Sequence, residues 1–363
     1  MNKFLSQKHA LLERNSSKSD RFTDFLRALI KSPVAQVLCF AVIMAVVGTL
    51  ALQKVFPYSW ASAFASTFSY AIAAVGFCLL MGYSGLASLG TGGFIGIGTY
   101  SVYYVMAESG LPFMLAVLVA IIIAIVIGMI VGFISLRIEG IYLVILTLGL
   151  SEILRNMYMV LEDKISFSNN PVIFGITITR QFSLYVVLVF LSIIMIITSN
   201  IINSPTGRAM LAMKNSTAAA QAMGISLMKY RLLAFIICTV YASVSGTMLM
   251  LVVRNAMASQ GTGFYALITS LNILAAVIIG GFKSIWGAVF GSFVMYGLQT
   301  VVLNNFKFLS ENPVIITFVS GILVIIVVMF YPGGLAQLVL ELRVKIKGLI
   351  KQMREAKYGK DLG

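Results

Sequence analysis

Ten apolar runs divided by short polar connections make up most of this sequence, and that alternation constrains the fold more than any other feature. A helix of about 20 apolar residues crosses the hydrocarbon core of a bilayer. Hydrocarbon offers no partner to backbone N–H and C=O groups, so each run must satisfy them internally, as a helix does. The runs read as Val34–Leu52, Ala63–Met81, Gly93–Ala107, Pro112–Leu136, Gly140–Val160, Phe182–Ile202, Leu232–Val253, Ala266–Gly280, Ile285–Leu303 and Val314–Tyr331. The third and eighth hold about 15 residues each, short for a full crossing, and read as broken or tilted elements.

Of the 363 residues, 60% are hydrophobic and 10% are charged, against roughly 25% charged in an ordinary soluble domain. So much apolar surface cannot be hidden in one soluble core. A soluble enzyme, a disordered regulator and a secreted disulfide scaffold are thereby excluded. His9 is the only histidine, and Cys39, Cys78 and Cys238 lie far apart inside apolar runs. Zinc sites and histidine-based triads are therefore not expected, and the cysteines read as small buried thiols.

The formal net charge is +14, from 26 Lys and Arg against 12 Asp and Glu. With the amino terminus placed inside, twenty of the 26 basic residues fall in inner segments and five in outer loops. That bias sets topology and requires an even number of spans. It also makes anionic lipid headgroups, not nucleic acid, the expected partner of the charge. The expected fold is all-α: a polytopic membrane protein of about ten transmembrane helices with glycine-rich breaks and both termini cytoplasmic. Residues 1–33 read as a basic cytoplasmic arm without a cleavable signal, with an interfacial helix expected over Arg21–Ile30. Residues 34–334 read as the membrane domain, and 335–363 as a basic cytoplasmic tail. Outer aromatics such as Trp60 and Tyr265 read as an interfacial belt.

Four stretches are candidates for function. The first runs from Gly82 to Gly98, with seven glycines in seventeen residues, including Gly82, Gly85, Gly92, Gly93 and Gly96. Each glycine in a helix interior costs about 1 kcal/mol relative to alanine, so a regular helix is not expected there. One reading is a broken helix restarting near Gly92 with Thr91 as N-cap, its free N–H groups meeting a substrate carboxylate. Ser88 and Thr91 would then join the substrate path. The other reading is close helix packing through Gly92-x-x-x-Gly96. The second stretch, Gly280 to Gly291, holds Gly280, Gly281, Trp286, Gly287 and Gly291, and allows the same two readings. Lys283-Ser284 is not a phosphate loop, because no glycine precedes the lysine.

The third stretch is the basic inner loop, residues 203–231. Ser204-Pro205 reads as N-cap and first helical residue of a helix over Pro205–Met213, and Asn215 or Ser216 as cap of a second over Thr217–Met223 ended by Gly224. Met210, Met213, Ala218, Ala219, Ala222 and Met223 read as its apolar contacts, with Thr206, Gly207 and Arg208 beside them. So many caps describe a folded docking surface for a cytoplasmic partner. A folded loop lying on lipid headgroups is the alternative. The fourth is Glu152 and Arg155, three apart in the fifth run and able to pair. A charge at mid-span costs about 2.5–3.5 kcal/mol, so such residues are functional candidates, with a structural ion pair as the alternative.

Together these stretches resemble the permeases of branched-chain amino acid ABC importers, the LivM-type inner-membrane subunit. The resemblance is carried by Gly82-Tyr83-Ser84-Gly85-Leu86-Ala87-Ser88-Leu89-Gly90 with Phe94-x-Gly96-x-Gly98-x-Tyr100, and by Arg137-x-Glu139-Gly140-Ile141-Tyr142 with Thr147-Leu148. It continues through Ser204-Pro205-Thr206-Gly207-Arg208-Ala209 to Ala222-Met223-Gly224-Ile225, and ends with Gly280-Gly281-x-x-Ser284-x-Trp286-Gly287-Ala288. It departs at Thr91, where the family often carries histidine. The resemblance implies no cofactor in this chain, with ATP and Mg bound by two cytoplasmic ATPase subunits docked on residues 203–231. It implies a second permease subunit, an extracytoplasmic solute-binding protein and a place in the inner membrane. Related permeases carry urea, amides, other amino acids or nucleosides. An ion-coupled secondary carrier is the rival reading, but paired acidic residues at mid-span are missing, since only Glu152 lies well inside a run.

Overall fold

The computed structural model describes residues 33–52, 58–135, 141–166, 171–173, 176–180, 182–259, 264–302, 318, 321–322, 325, 329, 333–337 and 341. The amino-terminal arm, the Arg137-to-Gly140 segment, nearly all of the tenth run and most of the tail lie outside the described residues. The described chain is helical almost throughout. In order come α1 (Pro33–Leu52), α2 (Tyr58–Leu79), a π turn (Leu80–Ser84), α3 (Thr91–Val102), a second π turn (Tyr103–Glu108), α4 (Phe113–Ser135) and α5 (Ile141–Glu162). There follow α6 (Ser183–Asn203), α7 (Pro205–Asn215), α8 (Thr217–Ala222), α9 (Leu227–Val253), α10 (Leu267–Gly280), α11 (Ile285–Ser292) and a π segment (Phe293–Val302). Among the described residues, six helices are long and apolar enough to cross a membrane, while α10 and the helical stretch over Ile285–Leu298 are shorter. This is an all-α polytopic membrane fold.

Two helices begin earlier than hydropathy implies. The α2 helix starts at Tyr58, and its inner hydroxyls are satisfied within the helix, Thr67 donating to the Ala63 carbonyl and Ser69 to the Ala65 carbonyl, both at 2.8 Å. Ser226 starts α9 at Leu227, and its first turn, with half-buried Leu227 and Met228 and exposed Lys229, is too polar to count as an apolar run. The structure also adds two small antiparallel ribbons to the helical plan. Lys164–Ser166 pairs with Asn255–Met257, and Val172–Ile173 pairs with Ile176–Thr177. The first ribbon ties the end of α5 to the end of α9, and the Asp163 carboxylate accepts from the Ser259 amide and hydroxyl at 2.6 and 2.8 Å.

The centre of the bundle is α2, α9 and α3. About 78% of the apolar stretch of α2 and of α9 is enclosed, against 28% for α4 and α5, and every residue of α3 is buried. Lipid tails are as apolar as leucine, so packing in a bilayer depends on close approach through small residues. Here a Cβ on Gly98 of α3 would overlap the Ser243 carbonyl of α9, and one on Gly246 of α9 would overlap the Ile95 carbonyl of α3. Cys78 and Cys238 are buried thiols, but Cys39 is exposed on α1, because only one edge of that helix meets the bundle. Tyr265 likewise departs from the interfacial belt. It is 1% exposed, with its ring 5.8 Å from Tyr100 and 5.5 Å from Tyr158.

Gly98→Ala and Gly246→Ala are each expected to destabilise the subunit by about 1–3 kcal/mol through overpacking. Gly149→Ala, where a Cβ meets nothing within 4 Å, is expected to be neutral or to add up to about 1 kcal/mol of helix propensity. Thermal unfolding of the detergent-purified subunit separates the two classes. Equal midpoints for all three variants would mean that α3 and α9 do not need their close contact.

Candidate functional site

The first glycine stretch is a break between two helices. The π turn after α2 ends at Gly85, which holds a left-handed φ of 74° that side chains resist. Residues 85–90 are irregular, and α3 begins at Thr91. The N-cap is Gly90, one residue earlier than the sequence reading, and it offers no side chain to the orphan N–H groups. Neighbouring helices supply the acceptors instead. Leu89 N–H donates to Thr147 Oγ1 at 3.0 Å, Gly93 N–H to Ser151 Oγ at 2.9 Å, and Gly92 N–H to Ser270 Oγ at 2.8 Å. Thr147 and Ser151 are four apart on one face of α5, and Ser270 comes from α10.

These bonds change the meaning of the glycines. The N–H groups expected to be free for a carboxylate are held by buried hydroxyls at the start of α3. Glycine at 92 and 93 lets those hydroxyls approach. A Cβ on Gly92 would lie 3.0 Å from the Ala266 carbonyl, and one on Gly93 would lie 3.0 Å from Ser151 Cα. Gly96 gives room to the ring of Tyr158, whose hydroxyl donates to the Gly93 carbonyl at 2.7 Å. Ser88 is buried and accepts from the Gly90 amide at 3.3 Å.

The second glycine stretch packs on the first. A Cβ on Gly82 would overlap the Phe282 carbonyl, and Gly280 and Gly287 each leave no room for a Cβ on the other. Gly281 has a φ of 103°, and Gly291 faces the Ala276 carbonyl. Cys78 Sγ donates to the Phe282 carbonyl at 3.1 Å, and the Tyr83 hydroxyl donates to the Lys283 carbonyl at 3.1 Å. Trp286 is half-buried, edge-on to Phe40 at 5.3 Å. The sequence marks both stretches as breaks but holds no sign that they touch.

The loop over residues 203–231 folds as two capped helices. Ser204 Oγ accepts from Gly207 N–H at 3.4 Å, with Pro205 as the first helical residue, and Ser216 Oγ accepts from Ala219 N–H at 3.3 Å. Gly224, at a φ of 78°, ends the second helix. Ser226 stands at the head of α9 without a side-chain cap bond. The six apolar residues of the loop divide by role. Met210 and Met213 are buried and seat α7 on the bundle, whereas Ala218, Ala219, Ala222 and Met223 are exposed, Met223 by 83%. Arg208 is exposed, Thr206 half-buried, and Gly207 presses on the Ile201 and Ile202 carbonyls. Sequence reasoning missed Lys214. Its Nζ donates to the Met81 and Gly82 carbonyls at 3.0 and 2.9 Å. A lysine in the last turn of a helix reads as a dipole partner, and nothing local links it to residue 82.

Glu152 and Arg155 form an ion pair, Nε to Oε2 at 2.8 Å. Arg155 also donates to the Ala258 carbonyl at 3.3 Å. The pair borders a cleft of about 300 Å³ whose other walls are Ala266, Leu267, Ile268 and Leu271. Glu152 lies about 16 Å along the 22-residue α5, near its middle. On the same helix Ile153, Met157 and Val160 are exposed by 66%, 54% and 87%. A paired charge thus sits near mid-helix, beside exposed Asn156 and among these exposed apolar side chains. Among the described residues, no three His, Cys, Asp or Glu side chains are grouped to hold a metal ion.

Ser151→Ala and Ser270→Ala each leave a buried N–H at the head of α3 without its acceptor. Each is expected to cost about 1–3 kcal/mol. Amide exchange at Gly92 and Gly93, together with thermal unfolding, checks this. Unchanged exchange in both variants would show that the hydroxyls do not cap α3.

Residues 59–328 match the family model described as the permease component of the branched-chain amino acid transport system. The high-affinity branched-chain amino acid transport system permease protein LivM of Escherichia coli K12 is 27% identical over 259 residues, covering 63% of this chain and 60% of that protein. The LivM protein of Salmonella typhimurium LT2 is 26% identical over 299 residues, covering 74% of this chain and 68% of that protein. The chain therefore spans less than two thirds of the E. coli relative's length. No solved structure matches. With the family model covering most of its length, this chain belongs to the permease component family of the branched-chain amino acid transport system.

Proposed function

We propose that this chain is one permease subunit of an ATP-driven importer that carries branched-chain amino acids across the cytoplasmic membrane. The observation that carries the reading is the α7–α8 loop: capped at both helices, seated by buried Met210 and Met213, and presenting Arg208, Ala219, Ala222 and Met223 outward. In this reading two ATPase subunits, which bind ATP and Mg, dock on that face. An extracytoplasmic solute-binding protein delivers solute to the opposite end. In this reading a ten-span topology with cytoplasmic arm and tail puts the loop inside, and the distribution of basic residues supports that orientation.

A second permease subunit covers the exposed face of α5 and α10 and completes the path. The ion pair supports this placement. Left against lipid, each mid-span charge costs about 2.5–3.5 kcal/mol or more, so the Glu152–Arg155 face calls for a partner or for water. The pair also suits an amino-acid zwitterion, with the guanidinium facing a carboxylate and the carboxylate facing an ammonium. Leu267, Ile268 and Leu271 offer an apolar wall to a branched side chain. Gly82, Ser88, Thr91, Gly92 and Gly93 then stand behind the path as its buried frame, with exposed Gly85 at its inner edge. The same scaffold would suit urea, amides, other amino acids or nucleosides, and the solute screen decides among them.

Proteoliposomes holding the whole complex should accumulate leucine, isoleucine or valine when ATP and binding protein are supplied. Arg208→Asp and Ala219→Asp are each expected to lower uptake by at least about tenfold, a loss of roughly 1.4 kcal/mol of coupling, while the subunit keeps its thermal midpoint. Uptake at wild-type rate in both variants would remove the docking role. Glu152→Gln and Arg155→Gln are expected to raise the KM for uptake by about tenfold. An unchanged KM would leave the pair a structural one. Uptake driven by a proton gradient without ATP would favour an ion-coupled carrier.

A further inference from the structure

One side chain of the α7–α8 loop reaches the place where the two glycine-rich breaks meet. Lys214 lies in the last turn of α7, directly after buried Met213, so its backbone moves with α7 as one body. Its ammonium donates to the Met81 and Gly82 carbonyls at 3.0 and 2.9 Å. Those carbonyls belong to the π turn that ends α2, the negative end of that helix. The Lys214 stem lies over Gly85, where a Cβ would approach Lys214 Cγ to 3.2 Å. Gly82 in turn presses on the Phe282 carbonyl, which also accepts from Cys78 Sγ at 3.1 Å. The Tyr83 hydroxyl bonds the Lys283 carbonyl at 3.1 Å. A single cation thus closes the junction of both breaks from the loop side.

The head of α3 and this junction are satisfied differently. Thr147, Ser151 and Ser270 sit on the long α5 and on α10, as part of the bundle. Lys214 sits on a short helix outside it. The Lys214 ammonium is held by the backbone dipoles of Met81 and Gly82. Burial lowers the Lys214 pKa, and Lys283 nearby lowers it further. A bond to backbone dipoles releases more readily than one to a carboxylate.

We infer that Lys214 is the positioning residue that carries movement of the α7–α8 loop into the Gly82–Gly90 break, as a detachable cap on the Met81 and Gly82 carbonyls. The inference rests on the importer reading, in which that loop follows the ATPase subunits. When the loop moves away, the two carbonyls lose their donor and the turn can re-form with its glycines. A fixed helix cap would hold the same contacts but would affect folding alone.

The test uses the whole complex in proteoliposomes with radiolabelled leucine. Lys214→Met is expected to retain ATP hydrolysis within about twofold yet to move at least about tenfold less leucine per ATP. Lys214→Arg, which keeps the charge and the donors, should recover the ratio to within about threefold. A wild-type ratio of leucine to ATP in Lys214→Met overturns the inference. So does a loss of uptake and hydrolysis in equal measure, with a lowered thermal midpoint and no rescue by arginine. A second measurement needs no variant: amide exchange over residues 82–90 in the wild-type complex should rise by about tenfold when a non-hydrolysable ATP analogue is added. No change there also overturns it. A wild-type complex that accumulates no solute with ATP fails before any substitution is made, and overturns the importer reading and this inference together.

Discussion

A bilayer leaves a broken helix with few ways to exist. Backbone groups freed by the break have no water to turn to, so protein must supply every partner. In this chain the break at residues 85–90 lies beside the most enclosed helices, and its partners come from three directions. Thr147 and Ser151 approach from α5, Ser270 from α10, and Lys214 from α7. The bundle is arranged around meeting that need. The small residues follow from it, because only glycine lets hydroxyls and carbonyls reach the backbone at 82, 92 and 93.

The same constraint separates what is held firmly from what can be released. The head of α3 is anchored to two membrane helices through serine hydroxyls that have no room to leave. The tail of α2 is anchored to a surface helix by a lysine. The two anchorages lie within about a dozen residues of one another, at Met81–Gly82 and at Gly92–Gly93. The charged pair on α5 belongs to neither. It lies half-exposed near the middle of α5, and the cost of such charges in lipid gives the exposed face of α5 a reason to be covered.

Much of the plan was legible before any coordinates. Long apolar runs mark helices because hydrocarbon leaves the backbone no other partner, and nine of the ten runs coincide with helical segments among the described residues. The loop helices were legible because Ser204-Pro205, Ser216 and Gly224 act within a few residues of themselves. Errors arose where partners come from afar. Thr91 reads as a cap because it is a hydroxyl beside a helix start, whereas the acceptors used belong to residues 58 and 178 positions away. Tyr265 reads as an interfacial aromatic, whereas the structure packs it against Tyr100 and Tyr158 inside the bundle.

By itself, then, the sequence determined that this chain lives in a membrane, where its helices run, which stretches cannot stay helical, and that the loop over residues 203–231 folds. Those properties depend on hydrophobicity and on local backbone chemistry, which neighbouring residues settle. Only the tertiary structure decided which helices enclose the break, that Gly82 rests on Phe282, that Ser270 caps α3, and that Lys214 spans from the loop to Met81. These are meetings between residues up to about two hundred positions apart, and packing through glycine carries no periodicity that a sequence would display.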